Sequence, residues 1–389
     1  MLGRLRQVSM GDPLGASVAQ VAVERHPLQP PSPGPGSPEA ADGDFFSGGA
    51  VAAPPSAEAL SGLAQLRALA RQGAWRAVAE RATEAAVPGQ REVALACVAY
   101  RALAHLKLRQ PTLAADALRS AGDLDAAPNL APDGRSLAPF ALRWLEAELP
   151  ARLGSPDATL DALCALHARC QADGAAARDA GEAAAAARRA DMVVHALASF
   201  HAAARDWRAA LTWLDAAARA APRDPAPLAA AGLLLVQLGD AAGCGRATDA
   251  AEAACAAAET AGELYGAARS GRAAVARNRA MLRFAAKDYA GARRLFDDAL
   301  TARPWDGVAA NNAAVAALYC ADLPGAVAVL EAALAAHPLA ALHEPLVLNL
   351  CSLYELAAPD AAAAKRRIAD WLQRAGPECF DVAACTRQA

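Results

Sequence analysis

The sequence is poor in several residue types that mark common classes of protein. Aromatic residues make up 5% of the 389 residues, isoleucine occurs only at Ile368, and lysine occurs only at Lys107, Lys287 and Lys365. The formal net charge is −3, which leaves no excess of positive charge to hold a phosphate backbone, so we expect no binding to nucleic acid. No apolar run approaches the ~20 residues that a membrane span needs, so we expect no direct insertion into a membrane.

Signatures of catalysis and of metal binding are also missing. The sequence has no GxSxG, P-loop, HExxH or CxxC motif, and its nine cysteines lack the spacing of a disulfide framework. The nearest approach to a metal site is Cys164, His167 and Cys170, which have no evident fourth ligand. The two cysteines suit buried small positions of a helix equally well. We therefore predict no catalytic residue, no cofactor, no metal and no enzymatic activity.

The first part of the chain differs in composition from the rest. Residues 27–38 read PLQPPSPGPGSP, and proline at this density removes the backbone donors that helices and sheets need. We therefore predict a disordered Pro/Gly-rich arm over 1–57 and a folded domain over 58–389. The DGDFFSGG segment of the arm, with Phe45 and Phe46, is either a short docking motif or an accident of an unstructured stretch.

An internal repeat runs through the folded domain. Apolar residues recur at helical spacing and no segment shows strand alternation, so the pattern predicts an all-α chain. Asp206, Asp240, Asp288 and Asp322 each precede a helical segment, at spacings of 34, 48 and 34 residues, and aspartate is a favoured N-cap. Small residues return at fixed distances from these aspartates, and we predict that they pack where paired helices cross. The predicted packing residues are Ala198, Ala210, Ala217, Gly232, Ala280, Ala292, Ala299, Ala314, Ala326 and Ala333.

This frame predicts a tetratricopeptide-repeat α-solenoid, which is a superhelix of antiparallel helix pairs. We expect seven or eight pairs and one concave face, because each amphipathic pair buries its apolar side only by stacking on its neighbours. The spacing of 48 is one repeat plus 14 residues, close to four helical turns, so we expect it to lengthen a helix pair without changing the buried face. Segments 71–82 and 153–163 each predict a turn followed by the second helix of a pair, and 343–356 predicts the first helix of the last pair.

Three asparagines recur in the first helices of successive pairs. Asn278, Asn312 and Asn349 fall at the position that faces the concave groove in this architecture, which makes them candidates for contact with the backbone of a partner. The alternative is a hydrogen bond to solvent or within the repeats, since an amide side chain both donates and accepts.

Two regions carry residues that the repeat frame does not require. One is GRSLAPFALRWLEAELPARLGSPDATLDAL at 134–163, and the other comprises DGVAANNAAVAALYCADLPGAVAVLEAAL at 306–334 and ALHEPLVLNLCSLYEL at 341–356. They resemble the C-terminal helical-repeat region of the trafficking protein particle (TRAPP) complex subunit 12 family, and the resemblance covers roughly 60–389. With Asn278, the candidate partner-binding residues are Asn311, Asn312, His343, Glu344, Asn349 and Tyr354. Tyr354 suits a place in the core equally well.

The resemblance implies a non-catalytic scaffold subunit of the TRAPP vesicle-tethering complex. Its partners would be other subunits of that complex and, indirectly, a Rab-family GTPase whose nucleotide exchange the other subunits catalyse. The implied location is cytoplasmic and peripheral, at the endoplasmic reticulum–Golgi intermediate compartment and the Golgi, in endoplasmic reticulum-to-Golgi transport and autophagy. Animal members of the family also carry a long acidic N-terminal half and have been given a mitotic, kinetochore-linked role.

A generic repeat adaptor or co-chaperone that grips peptide termini is the alternative function. Such a grip needs lysine and arginine alternating with asparagine along the first helices, because two carboxylates must be paired. Arg277 and Arg279 flank Asn278, but no lysine occurs from 288 to 364. The sequence therefore indicates an incomplete clamp.

Overall fold

The computed structural model describes four stretches of the chain, which are residues 62–86, 89–261, 265–337 and 340–382. The arm predicted over 1–57 lies outside the described residues. Within the four stretches the chain forms α-helices joined by turns, with one short 3-10 turn at Ala127–Asn129. The β structure there is limited to one isolated bridge between Leu130 and Ser136.

Sixteen α-helices in these stretches make eight consecutive pairs, each with an odd-numbered first helix and an even-numbered second helix. They are α1 (Gly62–Gln72), α2 (Trp75–Glu84), α3 (Arg91–Lys107), α4 (Pro111–Arg119), α5 (Phe140–Arg152), α6 (Pro156–Ala175), α7 (Ala180–Ala203), α8 (Trp207–Ala220), α9 (Pro225–Gln237), α10 (Ala241–Thr260), α11 (Tyr265–Ala285), α12 (Tyr289–Ala302), α13 (Gly307–Tyr319), α14 (Leu323–Ala336), α15 (Glu344–Ala357) and α16 (Ala361–Ala375).

The packing of these helices is that of a solenoid. Most helices pack against the helices before and after them, and first helices of successive pairs also touch, as α9 does with α11 and α13 does with α15. The predicted all-α tetratricopeptide-repeat α-solenoid is therefore confirmed. The weaker units also form as predicted, since α2 begins at Trp75, α6 begins at Pro156 and α15 begins at Glu344.

The aspartates of the repeat frame are N-caps of second helices. Asp206, Asp240, Asp288 and Asp322 cap α8, α10, α12 and α14, and each accepts a hydrogen bond from the amide three residues on, at 2.7 to 3.1 Å. Asp360 does the same for α16. A carboxylate in this place satisfies one of the amides that the first turn of a helix leaves without a partner, so each second helix begins at a defined residue.

The small residues of the repeat frame lie inside the solenoid. All ten predicted packing positions are buried, and the nine alanines among them are at most 8% exposed. Phe296 of α12 and Leu330 of α14 are fully buried beside them. Because an alanine side chain ends at its β-carbon, paired helices approach closely at these positions and leave little room for a larger residue.

The 14 additional residues lengthen the second helix of one pair and the first helix of the next, and not the two helices of a single pair as expected. Helices α10 and α11 have 20 and 21 residues, whereas α8, α12 and α14 have 14 residues each. The inner side of α10 stays buried along its whole length, from Cys244 and Ala251 to Ala258. The addition, about four helical turns in total and divided between two helices, therefore leaves the direction of the buried face of α10 unchanged.

The two ends of the solenoid are in contact. The segment after α16 reaches the turn between α1 and α2, where the backbone amide of Glu378 donates to the carbonyl of Gly73 at 3.1 Å. Arg109, which follows α3, pairs with Glu344 at the start of α15 at 3.3 Å. The segment after α16 and the Arg109–Glu344 ion pair therefore connect the last helix pair to the first two pairs.

Candidate interaction surface

Asn278 is a buried link between two first helices. Its side chain is 1% exposed, and its Nδ2 donates to the carbonyl of Ala229 in α9 at 2.8 Å. Gly232 leaves the space for this bond, because a β-carbon there would lie 2.8 Å from Asn278 Nδ2. The expectation that Asn278 faces an open groove is therefore wrong, and the residue joins α11 to α9 inside the solenoid.

Asn311 and Asn349 form a second buried link, between α13 and α15. Asn349 Nδ2 donates to Asn311 Oδ1 at 2.9 Å, and the two residues are 4% and 0% exposed. The groove position expected for Asn349 is therefore wrong. A buried amide bond of this kind favours one register of the two helices, because sliding would break the bond from Asn349 Nδ2 to Asn311 Oδ1 inside the solenoid.

Tyr354 also belongs to the interior. Its hydroxyl donates to Glu331 Oε1 at 2.6 Å, which joins α15 to α14, and the residue is 5% exposed. Burial raises the pKa of the Tyr354 phenol, and the neighbouring Glu331 carboxylate raises it further. The phenol therefore stays protonated and keeps its role as the donor.

His343 is the N-cap of α15. Its Nδ1 accepts a hydrogen bond from the backbone amide of Leu346 at 3.0 Å. Burial lowers the pKa of the His343 imidazole, which favours the neutral ring that an accepting Nδ1 requires. Asn312 is half-buried, with Nδ2 3.8 Å from Met281 Sδ, and Glu344 is exposed. Asn312 and Glu344 are thus the candidates that keep access to solvent, whereas the His343 ring is engaged in capping α15.

The cations beside Asn278 are engaged within the solenoid. Arg277 pairs with the buried carboxylate of Asp306 at 3.1 Å, and Arg279 pairs with Glu252 at 2.5 Å. Both arginines therefore hold neighbouring helices together. Because Asn278 is buried, the three residues do not form a surface that receives a carboxylate.

Exposed apolar residues occur along one edge of the solenoid, at positions that the sequence pattern does not single out. We call this edge, which the turns between first and second helices form, the turn rim. Leu153, Leu238, Tyr319 and Leu356 lie at or next to the ends of α5, α9, α13 and α15, Leu113 lies near the start of α4, and they are 44–47% exposed. Because these residues occupy the equivalent turns of five helix pairs, we take the turn rim as the candidate interaction surface.

Three aromatic side chains meet on the turn rim between the α11–α12 and α13–α14 pairs. The rings of Tyr289 and Tyr319 stack with centroids 4.6 Å apart, and the ring of Phe284 meets them edge-on at 5.1 and 5.4 Å. The sequence contained one signal for this cluster, because a large residue such as Trp207, Tyr289 or Leu323 follows several capping aspartates. The sequence does not indicate that this aromatic cluster is partly exposed to solvent, which follows from the structure.

Cys170 and His167 of α6 take part in packing, whereas Cys164 is exposed, so the buried position expected for both cysteines holds only for Cys170. Cys170 is 2% exposed, and burial raises the pKa of its thiol to about 11. His167 meets the ring of Trp213 edge-on at 5.3 Å, and burial lowers the pKa of its imidazole. Among the described residues, no three His, Cys, Asp or Glu side chains are grouped closely enough to hold a metal ion. None of the described helices combines the length and apolar character required to cross a membrane.

Comparison with known proteins gives two similar sequences. No family model matches the chain. Trafficking protein particle complex subunit 12 of Mus musculus is 29% identical over 59% of this chain and 30% of its own length. The subunit 12 of Homo sapiens is 28% identical over 59% of this chain and 32% of its own length. The chain thus spans under a third of the length of these curated relatives.

Two solved structures illustrate the similarity of this chain to known folds. A tetratricopeptide repeat protein from Parabacteroides merdae has a TM-score of 0.38 and 16% identity, and the match covers 77% of this chain and all of that one. The Cut9–Hcn1 complex has a TM-score of 0.39 and 10% identity, over 84% of this chain and 55% of that one. Together with the eight helix pairs, the sequence comparisons confirm the resemblance: the chain is a tetratricopeptide-repeat solenoid similar to TRAPP complex subunit 12.

Proposed function

We propose that this chain is a non-catalytic scaffold subunit of a TRAPP-type vesicle-tethering complex. The observation that carries the proposal is the sequence similarity to subunit 12, which extends over 59% of this chain. In this role the chain bridges other subunits, and a Rab-family GTPase is reached only through them. The proposed setting is cytoplasmic and peripheral, at the endoplasmic reticulum–Golgi intermediate compartment and the Golgi, in endoplasmic reticulum-to-Golgi transport and autophagy.

The interior of the solenoid supports a bridging role because it is built for rigidity. The links from Asn278 to Ala229 and from Asn349 to Asn311 tie first helices together, and Tyr354 ties α15 to α14. A rigid solenoid holds separate binding surfaces at constant distances, which a subunit that joins two others requires. Residues that distinguish the family from a generic repeat therefore act by shaping the scaffold.

The turn rim is the surface that we propose for contact with another subunit. Tyr319 and Leu356 are 46% and 47% exposed on neighbouring pairs. The ring of Tyr319 also stacks on the ring of Tyr289 at the start of α12. Aromatic side chains at the centre of an interface contribute much of its binding energy, and an exposed leucine adds apolar area that binding removes from water. Asn312 and Glu344, which keep access to solvent, lie on the same two helix pairs.

The proposal is tested by affinity purification of the tagged full chain from its own cells, with identification of the proteins that accompany it. We expect other TRAPP subunits to co-purify in constant proportion. Recovery of molecular chaperones without TRAPP subunits would instead favour the generic adaptor, and recovery of kinetochore proteins would favour the mitotic role that the resemblance implies.

A double substitution tests the position of the surface. Tyr319→Ser with Leu356→Ser removes two apolar side chains from the C-terminal part of the turn rim. We expect recovery of the complex to fall at least tenfold, because covering the exposed half of each side chain contributes ~0.7–1.5 kcal/mol, and ~1.4 kcal/mol corresponds to a factor of ten. Leu113→Ser with Leu153→Ser is the matched control, because these residues are equally exposed in the N-terminal part. Unchanged recovery with the first variant would exclude the C-terminal rim as the contact surface.

The peptide clamp is disfavoured by the ion pairs that Arg277 and Arg279 make within the solenoid. A clamp would need both guanidinium groups free to receive a carboxylate, and Asp306 and Glu252 already occupy them. Binding of a peptide with a free C-terminal carboxylate, measured by calorimetry, is therefore expected to be undetectable at micromolar concentration.

A further inference from the structure

The first helix pair lacks a feature that five later pairs share. Helix α2 has Ala74 as its N-cap, and no side chain of the turn itself caps the helix. In α8, α10, α12, α14 and α16 the corresponding residue is an aspartate that accepts a hydrogen bond from the first turn. An N-cap without such a side chain leaves the first amides of a helix to water.

A glutamate from the other end of the chain takes the place of the missing aspartate. Glu378 Oε2 accepts a hydrogen bond from the backbone amide of Arg76, the second residue of α2, at 2.7 Å. The backbone amide of Glu378 in turn donates to the carbonyl of Gly73 at 3.1 Å. The two bonds join positions that are 302 residues apart, and they have the form of a capping interaction, since a carboxylate meets the amide-rich start of a helix.

The residues on either side of Glu378 also contact the first helix pair. Gly73 has φ +72°, and a β-carbon on it would lie 2.8 Å from Pro377 Cα, so only glycine admits the segment at this distance. Cys379 packs against the apolar cluster of the first pairs, which includes Leu66 and Trp75. Phe380 packs against the cluster of the last pairs. The segment 377–380 therefore contacts both ends of the solenoid at once.

We infer that residues 377–379 act as a clasp that closes the solenoid by capping α2, and that this contact is the joint at which the closed solenoid opens. The bonds of the clasp are weak compared with those between neighbouring pairs, because Arg76 and Glu378 are both exposed and water competes for each bond. The second contact between the ends is the ion pair of Arg109 with Glu344. Its side chains are 67% and 54% exposed to solvent, so this pair is weak as well.

Opening of the clasp would uncover the outer side of the first pair and the end of the last pair together. A protein that extends the solenoid by stacking a helix on either end must first displace the clasp. This device is independent of the proposed role in a tethering complex, because it depends only on contacts within the chain.

The test uses a zero-length cross-link in the purified full chain. Arg109→Lys places an amine beside the Glu344 carboxylate, and a lysine is compatible with that backbone because Lys287 adopts the same left-handed conformation in another turn. Carbodiimide is then expected to join residues 109 and 344 within one molecule, as identified by mass spectrometry of the monomer band.

Gly73→Asn, added to this variant, is expected to open the clasp. Asparagine tolerates the left-handed backbone, but its β-carbon displaces Pro377. We expect the cross-link yield to fall at least fivefold and amide exchange of residues 376–382 to accelerate about tenfold. Gly154→Asn is the matched control, since Gly154 also has positive φ at a turn between paired helices and has nothing within 4 Å of a β-carbon.

A second pair of variants separates loss of the cap from loss of folding. Glu378→Ala is expected to accelerate exchange of the Arg76 amide roughly five- to tenfold, since an N-cap contributes ~1 kcal/mol. Ala74→Asp supplies a local cap for the amide three residues on, that of Ala77, as the other capping aspartates do. In the Glu378→Ala background it is expected to slow exchange of the Ala77 amide while the Arg76 amide still exchanges fast, which a loss of folding of α2 would not produce.

Three outcomes would overturn the inference. They are an unchanged cross-link and unchanged exchange in Gly73→Asn, an equal effect of Gly154→Asn, and a cross-link found only in dimers, which would assign the clasp to exchange between two copies.

Discussion

The second helices of the C-terminal five pairs and those of the N-terminal three pairs begin in different ways. From α8 onward each starts at an aspartate that caps it. In α2, α4 and α6 the N-caps are Ala74, Gln110 and Ser155, and none of them makes a side-chain capping bond. The C-terminal pairs are thus defined locally, whereas the N-terminal pairs depend on contacts from elsewhere in the chain.

Those distant contacts are visible in the loop between α4 and α5. Asn129 is 2% exposed, accepts from Arg91 at 2.6 Å and donates to the carbonyl of Asp123 at 2.6 Å. Arg143 donates to Asp125 and to Ser136, so that α5 also holds the loop. A long connection is ordered here by hydrogen bonds of arginine and asparagine, without the repeat frame. One solenoid therefore combines two ways of fixing its turns.

The largest expected effect concerns packing in the regular pairs. Ala326→Leu places a larger side chain at a fully buried crossing of α13 and α14, and we expect the free energy of unfolding to fall by roughly 1–3 kcal/mol through overpacking. Ala362→Leu is the control, since Ala362 is an exposed residue of α16. Chemical denaturation followed by circular dichroism measures both. Equal losses at the two sites would contradict the assigned repeat register.

A smaller effect contrasts the two kinds of turn directly. Asp240→Ala removes the hydrogen bond that Asp240 accepts from Gly243 at 2.7 Å, and we expect a loss of about 1 kcal/mol in the free energy of unfolding. Ser155→Ala, at the same place in α6, removes no capping bond and is expected to change stability by less than about 0.5 kcal/mol. A loss of similar size in both variants would remove the distinction between the two halves.

The smallest effect is a pH dependence in the N-terminal half. The hydrogen bond from Arg143 lowers the pKa of Asp125, with a further contribution from Arg169. A lowered carboxyl pKa stabilises the fold above the ordinary aspartate value near ~3.9, and this stabilisation is lost as pH falls through the folded-state value. Asp125→Asn should therefore lower the melting temperature at pH 7 and leave it unchanged near pH 2.

Solvent screening limits this contribution to about 0.5 kcal/mol, because Asp125 is half exposed. The control is Arg143→Met, which removes the donor. Asp125→Asn added to Arg143→Met is expected to have little further effect at pH 7. If Asp125→Asn lowers the melting temperature at pH 7 by the same amount in the Arg143→Met background, Arg143 is not the residue through which Asp125 stabilises the fold.

Local features of this fold could be predicted from the sequence, and contacts across the molecule could not. The capping aspartates and the buried alanines repeat at regular distances, so periodicity locates them. Periodicity does not predict the burial of Asn278 and Asn349. Each residue turns a helix by ~100°, so an error of one residue in the assigned register moves a side chain from the groove to the interface between helices. Pairing of Glu378 with α2 has no signal in sequence spacing, since it depends on the accumulated curvature of eight pairs.

Contact between the two ends also limits how a chain of this kind changes in evolution. Arrays of repeats commonly gain or lose units by duplication or deletion within the gene, because each unit contacts only its neighbours. In this chain an added or deleted pair would carry Glu378 away from Arg76 and Glu344 away from Arg109. Selection for the closed form would therefore hold the number of repeats constant while the turns and surfaces between them diverge.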